Sequence, residues 1–399
     1  MTGVQTCALP IWDAWLCIND VPLIPIPDFS YPVASGRKTG LLIPTPGYDN
    51  RFGWTYRQGF FWAIDPSHDL TVSPQYWTDL GYGADFEYRY VLDRKSKGQW
   101  LISALKQEHL PKVAGVDPSS SDVKRTRALI SGLHTQQINP DLKVNATAFL
   151  VTDPQYLSQL SNSGAQRAMP SGDSSLFVNQ RLANGNLYLL GQYLQPLSAG
   201  GKETFQRLPQ IGHGIVNYAP FGGPVLLGMD SHAANFYREE GFQLSRVDLL
   251  PSLSTEMLNL GHVAGLTPQV RLRETYYTRG SDSARPVHRE TFWTGLEGAS
   301  RLSRRFDRED GGNVLHTIEP KVVYEYVPPT DQSRITQVDD VDNLGKKNLV
   351  TYSMQNRLLG QDASGRAKNW LDLTLAQSYR PGAVQTEARR FNFPGSAQF

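Results

Sequence analysis

A two-residue alternation of apolar and polar side chains is the feature that most constrains how this chain folds. Apolar, mostly aromatic residues occupy most even positions from Phe52 to Ile64 and from Leu80 to Leu92, with charged residues such as Asp85 between them. Successive side chains of a β-strand point to opposite faces, so this period predicts strands with one apolar and one polar face. No window favours the helical period, and we expect very little helix.

Strands of this kind suit a membrane-spanning β-barrel. A spanning strand needs only ~9–11 residues, whereas the longest uncharged apolar stretches, such as Gly222 to Met229, are far below the ~18 residues of a spanning helix. From Arg37 onward the chain has room for roughly fourteen to sixteen antiparallel strands. The sequence therefore predicts an all-β fold, an antiparallel transmembrane β-barrel.

The two parities also predict an orientation for the first strands, because lipid requires apolar side chains and a water-filled lumen admits charged ones. The residues predicted to face lipid are Phe52, Trp54, Tyr56, Phe60, Trp62, Tyr82, Phe86 and Tyr88. The residues predicted to face the lumen are Arg51, Arg57, Asp85, Glu87 and Arg89.

Composition excludes some functions and leaves one alternative fold open. The chain has 39 Lys and Arg against 38 Asp and Glu, a net charge of +1, without the basic excess typical of nucleic-acid-binding domains. We therefore predict no nucleic-acid partner. A soluble carbohydrate-binding β-sandwich also has alternating strands and stays open, although its core would hold fewer Tyr and more Val and Ile.

Motifs of chemistry are missing from the sequence. None of the eight His belongs to HExxH or to a cluster with metal-ligand spacing, and there is no G-x-S-x-G sequence. The two Cys, Cys7 and Cys17, cannot form a Cys-rich metal site. We predict no catalytic residue, no metal and no cofactor.

Three short segments call for a structural interpretation instead. Asp339, Asp340 and Asp342 predict a solvated acidic loop, since Leu344 stands where a calcium-binding loop would need an oxygen ligand. The basic run Arg301, Arg304, Arg305 and Arg308 predicts exposed charge at a strand edge. Gly81 and Gly83 lie inside an alternating strand and predict close packing.

The most distinctive segments of the sequence are residues 21–91, which include VPLIPIPDFSYPV and RKTGLLIPTPGYDNRFGWTYRQGFFWAIDPSHDL, and HTIEPKVVYEYVPPTDQ at 316–332. Supporting segments are VTDPQYLSQL (151–160), LTPQVRLRETYY (266–277) and NRLLG (356–360). These segments resemble the LptD family (OstA/Imp) of lipopolysaccharide-assembly proteins, and they occur in the family's order over most of the chain.

The resemblance implies a domain organisation. It implies a periplasmic β-jellyroll followed by a very large barrel, so that residues 12–36 would end the jellyroll and residues 37–399 would form the N-terminal part of the barrel. We expect residues 1–11 to be a non-native leader, because they lack the features of a signal peptide. We also expect Phe399 to mark a truncation. Cys7 and Cys17 match none of the family's disulfide-forming cysteines.

The resemblance further implies a function without covalent chemistry. A member of the family would be a translocon of the Gram-negative outer membrane that receives lipopolysaccharide and releases it through a lateral gate. Its implied partners are lipopolysaccharide, the plug lipoprotein LptE, the periplasmic bridge protein LptA and the barrel assembly machinery. Pro44 matches a family proline near the gate, whereas Gly59 stands where the family has a second. A general porin and an outer-membrane lipid hydrolase are the alternatives.

Overall fold

A computed structural model describes residues 37–109, 126–197, 201–261, 263–309, 311–361 and 366–381, and the backbone of four short strands before residue 37. The chain forms two compact units, residues 1–132 and 133–399. The predictions made for Cys7 and Phe399 lie outside the described residues, as does most of the predicted leader at 1–11. The boundary predicted at residue 36 stays a prediction.

The first unit is built from antiparallel strands. Strand β1 pairs with β4 and β2 with β3, and a larger sheet follows from β5 to β11. Its strands are β1 (Ala8–Ile11), β2 (Ala14–Ile18), β3 (Val21–Ile26), β4 (Phe29–Pro32), β5 (Gly40–Leu41), β6 (Thr45–Asp49), β7 (Gly53–Arg57), β8 (Phe60–Asp65), β9 (His68–Trp77), β10 (Gly81–Asp93) and β11 (Ser96–Gln107). The boundary between the units falls within β12 (Thr126–Gln137).

The second unit is an antiparallel sheet in which strands adjacent along the chain pair, except that two short segments continue the strand before them and pair with the strand after them. Its strands are β13 (Leu142–Val151), β14 (Ser171–Leu182), β15 (Gly185–Pro196), β16 (Gln206–Tyr218), β17 (Val225–Tyr237), β18 (Leu244–Thr255), β19 (Leu258–Leu260), β20 (Ala264–Tyr277), β21 (Val287–Ala299), β22 (Leu302–Asp307), β23 (Asn313–Val327), β24 (Lys347–Gln361) and β25 (Ala367–Tyr379). The helical segments are α1 (Tyr156–Leu160), α2 (Gly164–Arg167) and a 3-10 helix (Gly201–Glu203).

The predicted all-β, antiparallel fold class is confirmed, and so is the low helix content. Four short segments, β6, β8, β19 and β22, each continue the strand before them across an irregularity. When each of them is counted together with that strand, the described residues from Gly40 onward form seventeen successive antiparallel strands. This is one more than the upper end of the predicted range, because several connections, such as residues 66–67 and 183–184, are only two residues long. Among the described residues, no helix has the length and apolar character that a membrane span requires.

Two glycines allow close strand packing at the start of β10. A Cβ at Gly81 would overlap the carbonyl oxygen of Lys106 on β11, and one at Gly83 would overlap that of Ala104. The backbone at Gly81 also has φ of +140°, which an L side chain rarely adopts. The prediction that both glycines are close-packing positions is confirmed.

The buried apolar cluster of the second unit lies at one end of its strands. Ala234, Phe236, Leu244 and Tyr277 come from β17, β18 and β20, and Ile335 comes from the 328–346 connection between β23 and β24. Because Ile335 is only 5% exposed, this connection is fixed against the sheet by apolar burial.

Candidate functional site

In the first unit the strand registers place the even-numbered residues of neighbouring strands on one face of the sheet and the odd-numbered residues on the other. Tyr56 lies opposite Tyr76, which lies opposite Tyr82, and Phe60, Val72 and Phe86 form a second row. On this face the exposed residues include Trp54, Tyr56, Phe60, Trp62, Tyr82 and Phe86, each at least 39% exposed. Tyr88 is half-buried and its hydroxyl lies 2.6 Å from Nδ1 of His68. That this face meets lipid stays a prediction.

The odd-numbered residues of these strands lie on the opposite face and form ion pairs across the strands. A nitrogen of Arg57 lies 3.1 Å from an oxygen of Asp85, and Nε of Arg89 lies 2.8 Å from Asp69. The side-chain amide of Gln99 donates to Glu87 at 2.8 Å. Arg51 pairs instead with Asp49 within the β6–β7 turn, at 3.2 Å. The polar face is therefore a network of opposite charges, while its contact with a wet lumen stays a prediction.

Phe52 differs from the other residues predicted to face lipid. It lies in the turn before β7, is only 4% exposed, and has the Arg51 guanidinium 4.5 Å from its ring centroid. Gly53, with φ of +74°, changes the backbone direction between Phe52 and the strand. The alternation therefore begins at Trp54, and the burial of Phe52 does not support a lipid-facing role for it.

The first hairpin is interrupted in both of its strands at the two positions predicted for the gate. Pro44 lies between β5 and β6, and Gly59 lies between β7 and β8. On either side of the interruption Leu41 pairs with Phe60 and Thr45 pairs with Arg57. Pro44 has no N–H to donate, so the break and the proline coincide. Their role in a gate stays a prediction.

The side chain of Gln58 spans this interruption. Its amide nitrogen donates to the carbonyl oxygen of Leu42 at 2.8 Å and to that of Gly59 at 3.0 Å. Its own backbone N–H donates away from the hairpin, to Pro74 on β9 at 3.1 Å. Gly59 is buried, and an added Cβ would lie 2.9 Å from Cδ1 of Leu42. A side-chain hydrogen bond thus replaces part of the backbone ladder.

The acidic 328–346 connection departs from its prediction. Asp340 is exposed, as expected for a solvated loop, but Asp339 has a side chain only 16% exposed and Asp342 is fully buried. The prediction of a solvated loop is therefore wrong for these two residues. Burial is possible because both carboxylates receive several hydrogen bonds, which offset the cost of removing their charge from water.

Arg246 on β18 is the centre of these contacts. Its guanidinium, 1% exposed, donates to both oxygens of Asp339, at 2.7 and 2.9 Å, and to Asp342 at 2.8 Å. Arg207 donates to Asp339 at 3.0 Å, and the Tyr277 hydroxyl donates to Asp342 at 2.8 Å. These five side chains form what we name the Arg246 cluster.

Further contacts fix the backbone of the same connection. Arg289 donates to the carbonyl oxygens of Val341 and Asp342, at 2.7 and 3.1 Å. Burial opposes ionisation of Asp339, but the hydrogen bonds and charge of Arg246, with the charge of Arg207, hold the pKa of this carboxyl below its usual value. The connection is therefore held over the polar face of the sheet by charged hydrogen bonds.

The predicted basic run is exposed, as expected. Arg301 pairs with Glu319 at 3.2 Å, Arg305 pairs with Asp307 at 3.2 Å, and Arg308 lies over the ring of Trp370 at 4.9 Å. The whole of β22 is exposed. These arginines are not brought together with the Arg246 cluster.

The fold and its two-faced strands define a class, the antiparallel membrane β-barrels. Within that class the chain belongs to the LptD family, described as LPS transport system D, whose profile matches residues 125–392. Membership places the chain in the Gram-negative outer membrane and confirms the resemblance seen in its sequence. It favours the transport hypothesis over the porin, hydrolase and sandwich alternatives.

Individual relatives carry the same family name. The LPS-assembly protein LptD of Pseudoalteromonas atlantica is 26% identical over 385 residues, covering 88% of this chain and 47% of the relative. That of Pasteurella multocida is 24% identical over 400 residues, covering 98% of this chain and 49% of the relative. The chain thus spans about half the length of these relatives.

Solved structures with some likeness to the chain are outer-membrane proteins. OccK10 (OpdN) of Pseudomonas aeruginosa is 10% identical, covers 86% of this chain and 93% of its own, and has a TM-score of 0.32. A BenF-like porin of Pseudomonas fluorescens is 11% identical, with coverages of 88% and 93% and a TM-score of 0.32. At these TM-scores the likeness does not bear on function.

Proposed function

We propose that the chain is part of an outer-membrane lipopolysaccharide translocon, which receives lipopolysaccharide from a periplasmic bridge and releases it into the outer leaflet through a lateral gate. The observation that carries the proposal is membership of a family described as an LPS transport system. The two-faced strands and the interrupted first hairpin support it.

Physical chemistry explains why such a protein needs a lateral gate. Lipopolysaccharide has acyl chains that are stable in lipid and sugars that are stable in water. A barrel that moves it must therefore hold the sugars in a polar interior and let the acyl chains leave sideways. Sideways exit requires two adjacent strands to separate, and separation is easiest where their hydrogen bonds are fewest.

The first strand of the first hairpin, made of β5 and β6, has the properties expected next to such an opening. Its ladder is interrupted at Pro44 and Gly59, and a side-chain amide from Gln58 occupies the break. We propose that the seam lies between this first strand and the last strand of the complete barrel. Pro44 supports the proposal because it removes one donor from the strand that would line the seam.

The remaining partners follow from the same proposal. Lipopolysaccharide is the substrate, the lipoprotein LptE plugs the barrel, LptA delivers the substrate to a periplasmic domain, and the barrel assembly machinery inserts the protein. Transport of this kind needs no bond to be made or broken, so we propose that the protein is not an enzyme.

A disulfide cross-link across the seam tests the proposal. In the full-length natural protein, Thr45→Cys on the first strand is paired with a cysteine on the last strand of the complete barrel. We expect the cross-link to abolish surface lipopolysaccharide in a depletion strain, and a reductant to restore it.

The matched control places the second cysteine within the hairpin. Thr45 and Arg57 lie opposite each other, at a separation that suits a disulfide, so Thr45→Cys with Arg57→Cys leaves the seam free and should permit transport. Barrel assembly is checked by heat-modifiable gel migration. Normal surface lipopolysaccharide behind a quantitatively closed seam would contradict the lateral gate.

A further inference from the structure

Three metal-ligating side chains converge on the apolar face of the second unit. Glu274 on β20 lies directly opposite Glu290 on β21, and Tyr276 lies opposite His288. Nδ1 of His288 is 3.5 Å from an oxygen of Glu274 and 3.9 Å from one of Glu290. One ligand atom from each residue lies within 4.8 Å of the others. Two ligands on opposite sides of a cation at ~2.4 Å are separated by about this distance.

The charges of the cluster also call for a cation. Two carboxylates directly opposite each other in an antiparallel pair repel and destabilise the pairing. In the described part of the chain, the ion pairs of Glu274 and Glu290 are with His288, whose imidazole is charged only when protonated. A divalent cation between the carboxylates would turn this repulsion into attraction.

The cluster lies on the face of the sheet that carries the exposed apolar side chains, which is the face that we predict to meet lipid. It shares its face with the exposed side chains of Leu249, Leu272 and Phe292. The opposite face carries Arg273 and Arg289, which bind Asp248 and the 328–346 connection. The cluster is therefore separate from the Arg246 cluster and from any polar transport path on that face.

A groove of about 750 Å³ adjoins the cluster and shares Glu274 and Glu290 with it. Its apolar lining comes from Leu249, Pro251, Leu272, Phe292, Pro328 and Pro329, and its polar lining also includes Arg273, Thr291, Thr330 and Asp331. In the strand register the carboxylate pair is two residues nearer to the strand end than the Leu272–Phe292 pair. The arrangement offers an apolar stretch beside a pair of carboxylates, which suits an anionic lipid bound through a cation.

Loop lengths identify the side of the membrane. At this end of the strands the connections 152–170 and 328–346 are nineteen residues long, whereas the other end has turns as short as residues 183–184. Outer-membrane barrels have short periplasmic turns and long outer loops. From these loop lengths we infer that the cluster lies at the level of the outer-leaflet headgroups.

We propose that Glu274, His288 and Glu290 bind a divalent cation, and that this cation bridges to the phosphate of a phosphorylated glycolipid of the outer leaflet. The acyl chain of that lipid occupies the groove beside Leu272 and Phe292. Bare carboxylates would repel the phosphate, so the cation is required for the lipid to bind. The site holds a lipid on the outer surface and has no part in moving it through the barrel.

The cation is tested with Mn²⁺, which accepts both carboxylate and imidazole ligands and is read directly by electron paramagnetic resonance. The full-length natural protein in detergent is titrated alongside Glu274→Gln with Glu290→Gln. The matched control is Glu239→Gln with Glu240→Gln, an equal charge change on exposed residues at the same end of the strands. We expect affinity to fall at least about tenfold in the site variant only. Equal affinity in all three proteins would overturn the cation site.

The lipid is tested by native mass spectrometry with purified lipid A as the probe. Because the proposed transport path also binds this lipid, the readout is the number of adducts: we expect at least one lipid A adduct in Mg²⁺ that is lost in EDTA and in the Glu274→Gln, Glu290→Gln variant, but kept in the control. Leu272→Ser should weaken the adduct while leaving Mn²⁺ affinity unchanged. The same number of lipid A adducts in Mg²⁺ and in EDTA would overturn the cation bridge, and equal adducts with phosphatidylglycerol would overturn the choice of a glycolipid. Heat-modifiable migration checks folding throughout.

Discussion

A proline lies in a strand of both the first hairpin and the β23–β24 hairpin, but the strand pairing is interrupted at the proline only in the first. In the first hairpin, the ladder stops at Pro44 and resumes on the other side. In the second, β23 and β24 pair without a break over fifteen residues, although Pro320 lies in the middle of β23 opposite Met354. A proline alone therefore does not interrupt a strand pair. The interruption at Pro44 also involves Gly59 and the Gln58 side chain on the opposite strand.

The connections of the two hairpins differ as well. The first hairpin turns within residues 50–52, whereas β23 and β24 are joined by nineteen residues held by the Arg246 cluster and Ile335. We infer that the second hairpin is fixed at both its ladder and its connection, while the first is held by fewer and weaker contacts. The following predictions test this contrast, beginning with the largest effect.

Replacing Arg246 should release the 328–346 connection. Arg246→Met keeps the stem but leaves Asp339 and Asp342 buried without their main partner, a loss of about 3–5 kcal/mol for a buried pair. We expect the backbone amides of Val338 and Asp339, which donate to Asp342 at 2.9 and 3.0 Å, to exchange with solvent at least about a hundredfold faster.

The control for Arg246→Met is Arg334→Met in the same connection. Arg334 pairs with Asp282 at 3.5 Å, and both side chains are at least half exposed. An exposed pair of this kind contributes about 0–1 kcal/mol, so amide exchange should change little. Equal exchange in the two variants would mean that the charged cluster does not hold the connection.

Enlarging Gly59 should strain the first hairpin. In Gly59→Val the added Cβ would lie 2.9 Å from Cδ1 of Leu42 and 3.2 Å from its Cβ, which side-chain rotation cannot move, and overpacking of this kind costs about 1–3 kcal/mol. Gly40→Val is the control, because a Cβ at Gly40 has no heavy atom within 4 Å. Denaturant midpoints of the refolded full-length protein measure the difference. A Leu42→Ala change should restore part of the loss in Gly59→Val, and no rescue would contradict the predicted contact.

Acid should loosen the 328–346 connection. The pKa of Asp339 is lowered in the folded state, so its stabilisation is complete above about pH 4, the usual carboxyl range, and is lost as pH falls through the lowered value. One proton changes the stability by at most about 1.4 kcal/mol per pH unit. A spin label at the exposed Asp340→Cys position should gain mobility below pH 4. The same profile in an Asp339→Asn background would contradict this assignment.

The two-faced strands could be predicted from sequence because their cause is local. A period of two determines which face each side chain takes, and the cross-strand registers preserve it from Trp54 onward. Phe52 departs from the period because the direction of its side chain depends on the turn at Gly53, which the hydrophobic period does not report. Local patterns thus predict faces well and turns poorly.

The Arg246 cluster could not be predicted, because its members are distant in sequence. Arg246 lies 93 residues before Asp339 and 96 before Asp342, and only the packing of the 328–346 connection brings them together. Gln58 was detectable in principle. It is the one polar residue among the even positions from Phe52 to Ile64, and a polar side chain in an apolar series indicates a specific hydrogen-bonding role.

Removing the Gln58 amide gives the smallest expected effect and the sharpest test of the contrast between the two hairpins. Gln58→Leu deletes the donor to the carbonyl oxygens of Leu42 and Gly59, a loss of about 1 kcal/mol in water and more in lipid. The Leu42 amide, which donates to Gly59 at 2.8 Å, should exchange about fivefold faster. Gln58→Glu also loses the amide donor and adds a carboxylate that repels the same two carbonyl oxygens, so exchange should be at least as fast as in Gln58→Leu. Gln137→Leu, which removes a similar amide bond to Asn139 at a turn, should leave Leu42 unaffected. Unchanged exchange at Leu42 in both Gln58 variants would show that the interrupted ladder is stable without the side chain.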